Sequence, residues 1–312
     1  MIPDGADLPE VSVVMGVYNG ADHLFKTLDS VLCQHGVAFE VVVVDDGSDD
    51  ASAAILAARQ ERDDRLRVLR HEQNQGLTAA LITACRAACG EFIARQDVGD
   101  ISLPGRLETQ ARVLRDHPDV VLTACGTRYL SPEGWPLFES VQPEDAADDA
   151  LRSTDPRRLR GPSHHGATMF SRRVYEQVGG YRRAFRVAQD LDLWTRLVEH
   201  GRFLPTARVL YEAAISTDSI SGRQRARQRA MTRLIARACA LRRNGENDAP
   251  ILRAAEVSRL RPGLRRLRAA EGYYFIGSCL RETRPEAASL YFRRALRSFP
   301  LHGKAWLRWL AG

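Results

Sequence analysis

Four short runs, VSVVMGV (11–17), FEVVVV (39–44), LRVLR (66–70) and EFIARQ (91–96), most narrow what this chain can fold into. They are rich in β-branched and apolar residues and too short for helices, so all four read as strands, the first two as buried ones. Between them lie helical patterns: one after Asp22, which is placed to cap it, with Leu24, Leu28, Val31 and Leu32 on one face, then 50–60 and 77–88. Strand and helix alternating through short connections predict a parallel sheet with helices on both faces. Three of the runs end in polar residues: Tyr18-Asn19-Gly20, Asp45-Asp46-Gly47-Ser48, and Asp97 with Gly99 and Asp100. Ligands of such sheets bind beyond the C-terminal strand ends, where Tyr18, Asp46 and Asp97 are expected to converge. Pro104 suits the first turn of a further helix that runs to about His117.

The second half alternates less regularly. Val120–Ala124 reads as a strand, 125–140 as a hairpin turning at Ser131–Gly134, and the polar, proline-bearing 142–162 as a mobile loop with a short helix. HHGATMFSRR predicts a strand, VYEQVGGY a short helix, AQDLDLWTRLVEHG a helix and RFLPTARVLYEAA a closing strand. From Ser221 onward the pattern is helical. Ala288, Phe292, Ala295 and Pro300, with Gly277, follow the spacing of a tetratricopeptide unit, which cannot bury its apolar face alone. That unit therefore packs on the rest of the chain, on another chain or on a membrane.

Hydrophobic residues are 44 % of the chain, enough for a sizeable core. No apolar run approaches the roughly 18 to 20 residues that span a bilayer, and MIPDGADLPE has no signal-peptide order. Six cysteines without zinc-ligand pairs, Cys85 and Cys89 one turn apart in a helix, fit buried thiols in a reducing cytosol. Residues 219–312 hold 21 of the 45 Lys+Arg but 6 of the 39 Asp+Glu, a net +15, which leaves −9 for residues 1–218. A basic tail on an acidic domain points to an anionic partner for the tail.

Taken together, VSVVMGVYNG, VVVVDDGSDD, NQGLTAAL, GEFIARQDVGDISLPGRL and QDLDLWTRL resemble family-2 glycosyltransferases, inverting, nucleotide-sugar-dependent enzymes of the α/β GT-A fold. The likeness covers roughly residues 10–222 and is of the type that builds bacterial polysaccharides. It implies a GT-A domain over residues 1–220 and a basic helical extension over 221–312. Gly16, Val17 and Tyr18 would line the uracil and ribose pocket, with Asp46 bonding the base. Asp97 would be the first acid of the family's D-x-D motif, near ribose and metal. Asp190 would be the general base that takes the acceptor hydroxyl proton. Trp194, one turn on, is either part of an acceptor platform or core. The donor would be a nucleotide sugar, UDP-linked, the acceptor a glycan or lipid-linked glycan, and the cofactor Mn2+ or Mg2+.

Negative charge builds on the leaving pyrophosphate, which a cation held by carboxylates stabilises, while a carboxylate deprotonates the attacking hydroxyl. Two departures stand out. Gly99 occupies the last position of D-x-D and brings no ligand, so either Asp100 reaches in beside Asp97 or metal binding is weak, absent or water-mediated; with the repeat-like tail, this is also what a non-catalytic scaffold acting through its helices would show. Gln189 replaces an acid found beside the base in many relatives, which would make Asp190 a weaker base.

Of His164 and His165, alternation on a strand lets one face the site, and His165 is the acceptor-side candidate. Arg95, two before Asp97, is placed to pair with a carboxylate or phosphate. Asn74 and Gly76 shape the turn before a helix, close to the donor in the family. The run RQRARQR, 223–229, is a solvated helix face or a contact for anionic lipid headgroups, which would hold a cytoplasmic enzyme at the inner face of the plasma membrane. A nucleotidyltransferase would need a basic loop at Val17–Ala21, which has no Arg or Lys, and no module for nucleic-acid binding accompanies the arginines.

Overall fold

In the computed structural model, which describes residues 8–215, 225–257 and 265–310, the alternating runs build the expected parallel sheet. β1 (Val11–Val17), α1 (Ala21–Leu32), β2 (Phe39–Asp45), α2 (Ser52–Gln60), β3 (Leu66–Arg70), α3 (Leu77–Ala87) and β4 (Phe92–Arg95) follow one another. β1 pairs in parallel with β2 and β4, and β2 with β3. Side chains alternate across the pleat. Val11, Val13 and Met15 enter the layer of Leu24 and Leu28 on α1. Val14 enters the layer of Ala80 and Leu81 on α3. Burial on both faces is why β1 and β2 are mostly apolar, whereas β3, at the sheet edge, carries exposed Arg67 and Arg70.

The chain continues through β5 (Ile101–Ser102), α4 (Arg106–Asp116), β6 (Val120–Ala124) and the hairpin of β7 (Gly126–Leu130) and β8 (Pro136–Ser140). Then come α5 (Glu144–Leu151), β9 (Thr168–Ser171), α6 (Arg172–Gln177), α7 (Gln189–Leu197), β10 (Arg202–Phe203) and β11 (Val209–Ala214). The main sheet is ordered β10-β6-β9-β4-β1-β2-β3, and a smaller one β5-β11-β7-β8. β9 runs antiparallel between β4 and β6. This is the mixed α/β arrangement of the GT-A fold, with a helical region after it.

Several local expectations change. RFLPTARVLYEAA is two strands in different sheets, because Pro205 cannot donate to a ladder and the chain turns there. Asp22 lies in the first turn of α1, not at its cap; Gly20 and Ala21 instead donate to Ser52 Oγ (3.0 Å), at the start of α2, and to Asp50 Oδ2 (3.0 Å) just before it. α4 starts at Arg106, after a left-handed Gly105, so Pro104 precedes the helix. The segment 142–162 is pinned by buried Leu151 and Leu159 rather than loose. Cys89 lies beyond the end of α3; all six cysteines are free, three of them buried and Cys33 exposed.

The boundary expected at residue 220 lies outside the described residues. α8 (Arg225–Arg243) sends Met231, Ile235 and Cys239 into the core beside α7, and Arg242 pairs with Glu199 (2.7 Å). α9 (Ala249–Val257) follows, then the hairpin of α10 (Arg265–Leu280) and α11 (Pro285–Ser298), and α12 (Gly303–Leu310). In the hairpin a Cβ on Gly277 would sit 2.8 Å from the Phe292 ring, the close packing that the repeat-like spacing implies. Its apolar face is covered by the β7–β8 hairpin. Trp135 and Leu137 pack on Ile276 and Tyr291, Arg294 pairs with Glu133 (3.0 Å), and the Tyr291 hydroxyl also bonds Glu133.

Candidate active site

At the tip of β1, Gly16 lets α3 approach, since a Cβ there would lie 3.0 Å from Ala80 Cβ. Val17 is buried, whereas Tyr18 is 49 % exposed and presents its ring at the rim. Asp46 follows β2, but its carboxylate points inward. It accepts from the backbone N–H groups of Gln75 (3.0 Å) and Gly76 (2.8 Å) and bonds His71 Nδ1 (2.6 Å). Its visible work is to shape the loop before α3, and a nucleobase reaching it would compete with those partners. That loop and Arg183 and Arg186 line a cavity of about 490 Å3 with Asn74, Gln75 and Gly76. Thr78 Oγ1 ties its two walls together by donating to Phe185 O (3.2 Å). The arginines went unnoticed in the sequence, although the run RRAFR (182–186), two residues before QDLD, carried the signal.

The densest chemistry lies beyond β4. Arg95 is fully buried and spends every side-chain nitrogen: Nη1 donates to Val14 O (2.7 Å) and Gln96 O (2.8 Å), Nη2 to Asp97, and Nε to His165 Nε2 (3.3 Å). Burial pushes the Asp97 carboxyl up, but the Arg95 guanidinium outweighs it and holds the group at about 2. Gly99 has a left-handed backbone (φ 95°) and its N–H donates to Thr27 Oγ1 (2.9 Å). That turn brings Asp100 back towards Asp97. Asp97, Asp100 and His164 each offer a ligand atom, all within 4.8 Å of one another.

Burial, and next the Asp97 charge, push the Asp100 carboxyl well above the usual range. Two crowded carboxylates and an imidazole are a donor set that a divalent cation would relieve, so the residues present fit one. His164 Nδ1 accepts from Gly166 N–H (3.1 Å), which turns Nε2 towards Asp100 Oδ2 (3.6 Å). His164, not His165, therefore joins the acids. His165 lies behind them, its Nε2 also bonded to the Tyr181 hydroxyl (2.7 Å), and burial and then Arg95 keep its ring neutral.

Behind this cluster Tyr211 of β11 donates to Asp100 Oδ2 (3.0 Å) and accepts from Asp97 N–H (3.2 Å). Its ring lies over the guanidinium of buried Arg106 (4.9 Å). Arg106 in turn donates to Arg95 O, Gly166 O (2.7 Å), Gln96 Oε1 (3.0 Å) and Ser102 Oγ (2.7 Å), joining β4, β5 and the histidine loop. Nothing in the sequence pattern singled out Tyr211 or Arg106.

Asp190 is the second residue of α7. Before the helix Ala188 adopts a left-handed backbone (φ 58°), strain of the kind that gathers at functional sites. Asp190 Oδ1 accepts from Leu191 N–H (2.8 Å). Burial raises its carboxyl pKa, opposed by the backbone bonds and helped by the Asp97 charge. Asp192 is spent on Arg182 and on Arg196 (2.7 Å). Trp194 is 3 % exposed, in the core against Gly161 and His165, and offers an acceptor no open platform.

The chain matches the family described as Glycosyl transferase family 2 over residues 12–179, a span that includes Asp97, Asp100 and His164 but stops before Asp190. It is 31 % identical over 222 residues to the putative glycosyltransferase EpsE of Bacillus subtilis, covering 69 % of this chain and 76 % of that one. Among solved structures it is similar to S. aureus TarS 1–349 in complex with UDP, with a TM-score of 0.58 and 16 % identity, covering 97 % of this chain and 88 % of that one. The mannosyltransferase PcManGT of Pyrobaculum calidifontis, in complex with GDP-Man and Mn2+, aligns with a TM-score of 0.56 and 21 % identity, covering 98 % of this chain and 85 % of that one. At such identities the structural likenesses show the fold alone.

Proposed function

The chain belongs to glycosyl transferase family 2, and from that premise we propose that it is an inverting transferase that moves a sugar from a UDP-linked donor to a glycan or lipid-linked glycan of a bacterial polysaccharide. The observation that carries this is the meeting of Asp97, Asp100 and His164 beyond the strand ends, each offering a ligand atom within 4.8 Å of the others.

Asp97, Asp100 and His164 would hold the cation, and the mixed oxygen and imidazole set suits Mn2+ better than Mg2+. When bound, it would offset charge on the departing diphosphate. Arg95 keeps Asp97 ionised, and Tyr211 aims Asp100. Arg183 and Arg186, on the cavity beside the loop that Asp46 shapes, supply positive charge for the phosphates, and the Tyr18 ring a face for the base. Asp190 takes the proton of the attacking hydroxyl. Single displacement with one base inverts the anomeric centre and needs no covalent nucleophile. The six free cysteines accord with a reducing compartment, and no helix among the described residues is long and apolar enough to cross a membrane.

The test is calorimetric titration of UDP, with GDP for comparison, in Mn2+ and in EDTA. UDP is expected to bind in Mn2+ at least about tenfold more tightly than in EDTA, a gain that Asp100→Asn and His164→Ala each largely remove. Equal affinity in EDTA, or a gain untouched by both variants, would overturn the metal assignment. Tighter binding of GDP would overturn the choice of nucleotide.

A further inference from the structure

α12 carries three distinct sectors in eight residues. Ala305 and Trp309 turn inward, against Ala270, Ala295 and Leu296 of the α10–α11 hairpin. Lys304 and Arg308, one turn apart, form an exposed basic sector. The third sector is apolar and uncovered: Trp306 is 41 % exposed, Leu307 73 % and Leu310 72 %, with Leu301 at 83 % on the turn leading in. Trp306 Nε1 donates to Pro300 O (2.8 Å), so its one polar atom is already satisfied and the ring presents apolar surface. Isolated exposed leucines are ordinary, but four large apolar side chains within ten residues are not. On α11 the stripe ahead of Leu301 carries exposed Arg293 and Arg297.

We propose that this face of α12 docks the protein on an anionic lipid bilayer, with Leu301, Trp306, Leu307 and Leu310 entering the interface and Lys304 and Arg308 meeting headgroup phosphates. The reasoning is independent of the donor site. Charge selects the occupant: residues 219–312 carry a net +15, so apposing two copies through this face brings like charges together, whereas an anionic surface attracts it. Tryptophan and leucine beside lysine and arginine is the composition of a helix lying in the membrane interface. A helix of eight residues would not hold such a shape alone, but Ala305 and Trp309 fasten it to a folded hairpin, so the ordering cost is met before contact. The expected headgroup contact at 223–229 cannot be placed, since the side chains of 223–227 lie outside the described residues. A transferase held in this way would meet a lipid-linked acceptor at the surface where it resides.

The full chain is to be sedimented with vesicles of phosphatidylcholine alone and of phosphatidylcholine with about one third phosphatidylglycerol. Binding to the anionic vesicles only, reversed by salt, is expected. Leu307→Gln with Leu310→Gln should weaken partitioning about tenfold per leucine, and Lys304→Gln with Arg308→Gln should reduce the preference for the anionic vesicles. Acyl-brominated phosphatidylglycerol should quench tryptophan emission, and Trp306→Phe should remove most of that quenching. Unchanged UDP titration in every variant reports an intact fold and a donor site unaffected by the face. Failure to bind anionic vesicles, or undiminished binding by the double leucine variant, overturns the proposal. So does a dimer in vesicle-free buffer that the leucine variant dissociates, because the occupant is then a second copy.

Discussion

Replacing Arg95 by Met keeps the length of the side chain and removes its charge and all its donors. In the native protein that guanidinium holds the Asp97 carboxyl at about 2 against an ordinary 3.8, a shift worth about 2–3 kcal/mol at neutral pH. It also satisfies Val14 O (2.7 Å) and Gln96 O (2.8 Å), buried carbonyls that Met would leave unpaired. Those losses cost about 1 kcal/mol each, so Arg95→Met should destabilise by about 4–5 kcal/mol, in line with the breaking of a buried ion pair. Asp97→Asn keeps an acceptor for Arg95 and should cost about 1–2 kcal/mol. The double variant removes both charges, so it should be more stable than the two single effects together allow, by about 2 kcal/mol.

Urea unfolding at pH 7.5, followed by circular dichroism with slopes compared, measures all four species. The depressed folded pKa of Asp97 means that the pair's contribution is complete above the ordinary value of 3.8 and disappears as pH falls towards about 2. The gap between native and Arg95→Met should therefore narrow below about pH 4. Additivity within about 0.5 kcal/mol would refute the pairing argument.

Asp190→Asn retains the acceptor for Leu191 N–H (2.8 Å) and should lower turnover about 100- to 10,000-fold while UDP affinity holds within about twofold. Because burial raises the Asp190 carboxyl and a base acts ionised, kcat/KM should be lost as pH falls through a value above the ordinary 3.8; a profile flat down to that value would remove Asp190 from the role. Gly166→Ala would place a Cβ 2.0 Å from the Tyr211 hydroxyl, whose ring is backed by Arg106 and cannot retreat. A loss of about 3 kcal/mol in urea unfolding is expected, together with loss of the Mn2+-dependent gain in UDP affinity through Asp100; native-like values for both would show that Tyr211 is not pinned.

The amino-acid pattern alone determined the parallel sheet, its helical layers and the strand ends that carry Tyr18, Asp46 and Asp97, whereas Asp190 came only from the family resemblance. Strand periodicity, continuous apolarity and turn residues are properties of neighbours along the chain, and physics acts on them locally. Folding decided the rest. Whether Asp100 stands in for the acid absent at Gly99 depends on a left-handed turn locked by Thr27, 72 residues away. Which histidine faces the acids depends on Gly166, and Asp46 is turned inward by a loop 29 residues further on. Trp194 reads equally well as platform or core until His165 and Gly161 close over it. The basic extension could have packed anywhere until Trp135 met Tyr291. Residues distant in sequence acquire their chemistry from partners that only the closed core brings near, and burial then sets the charge each of them carries.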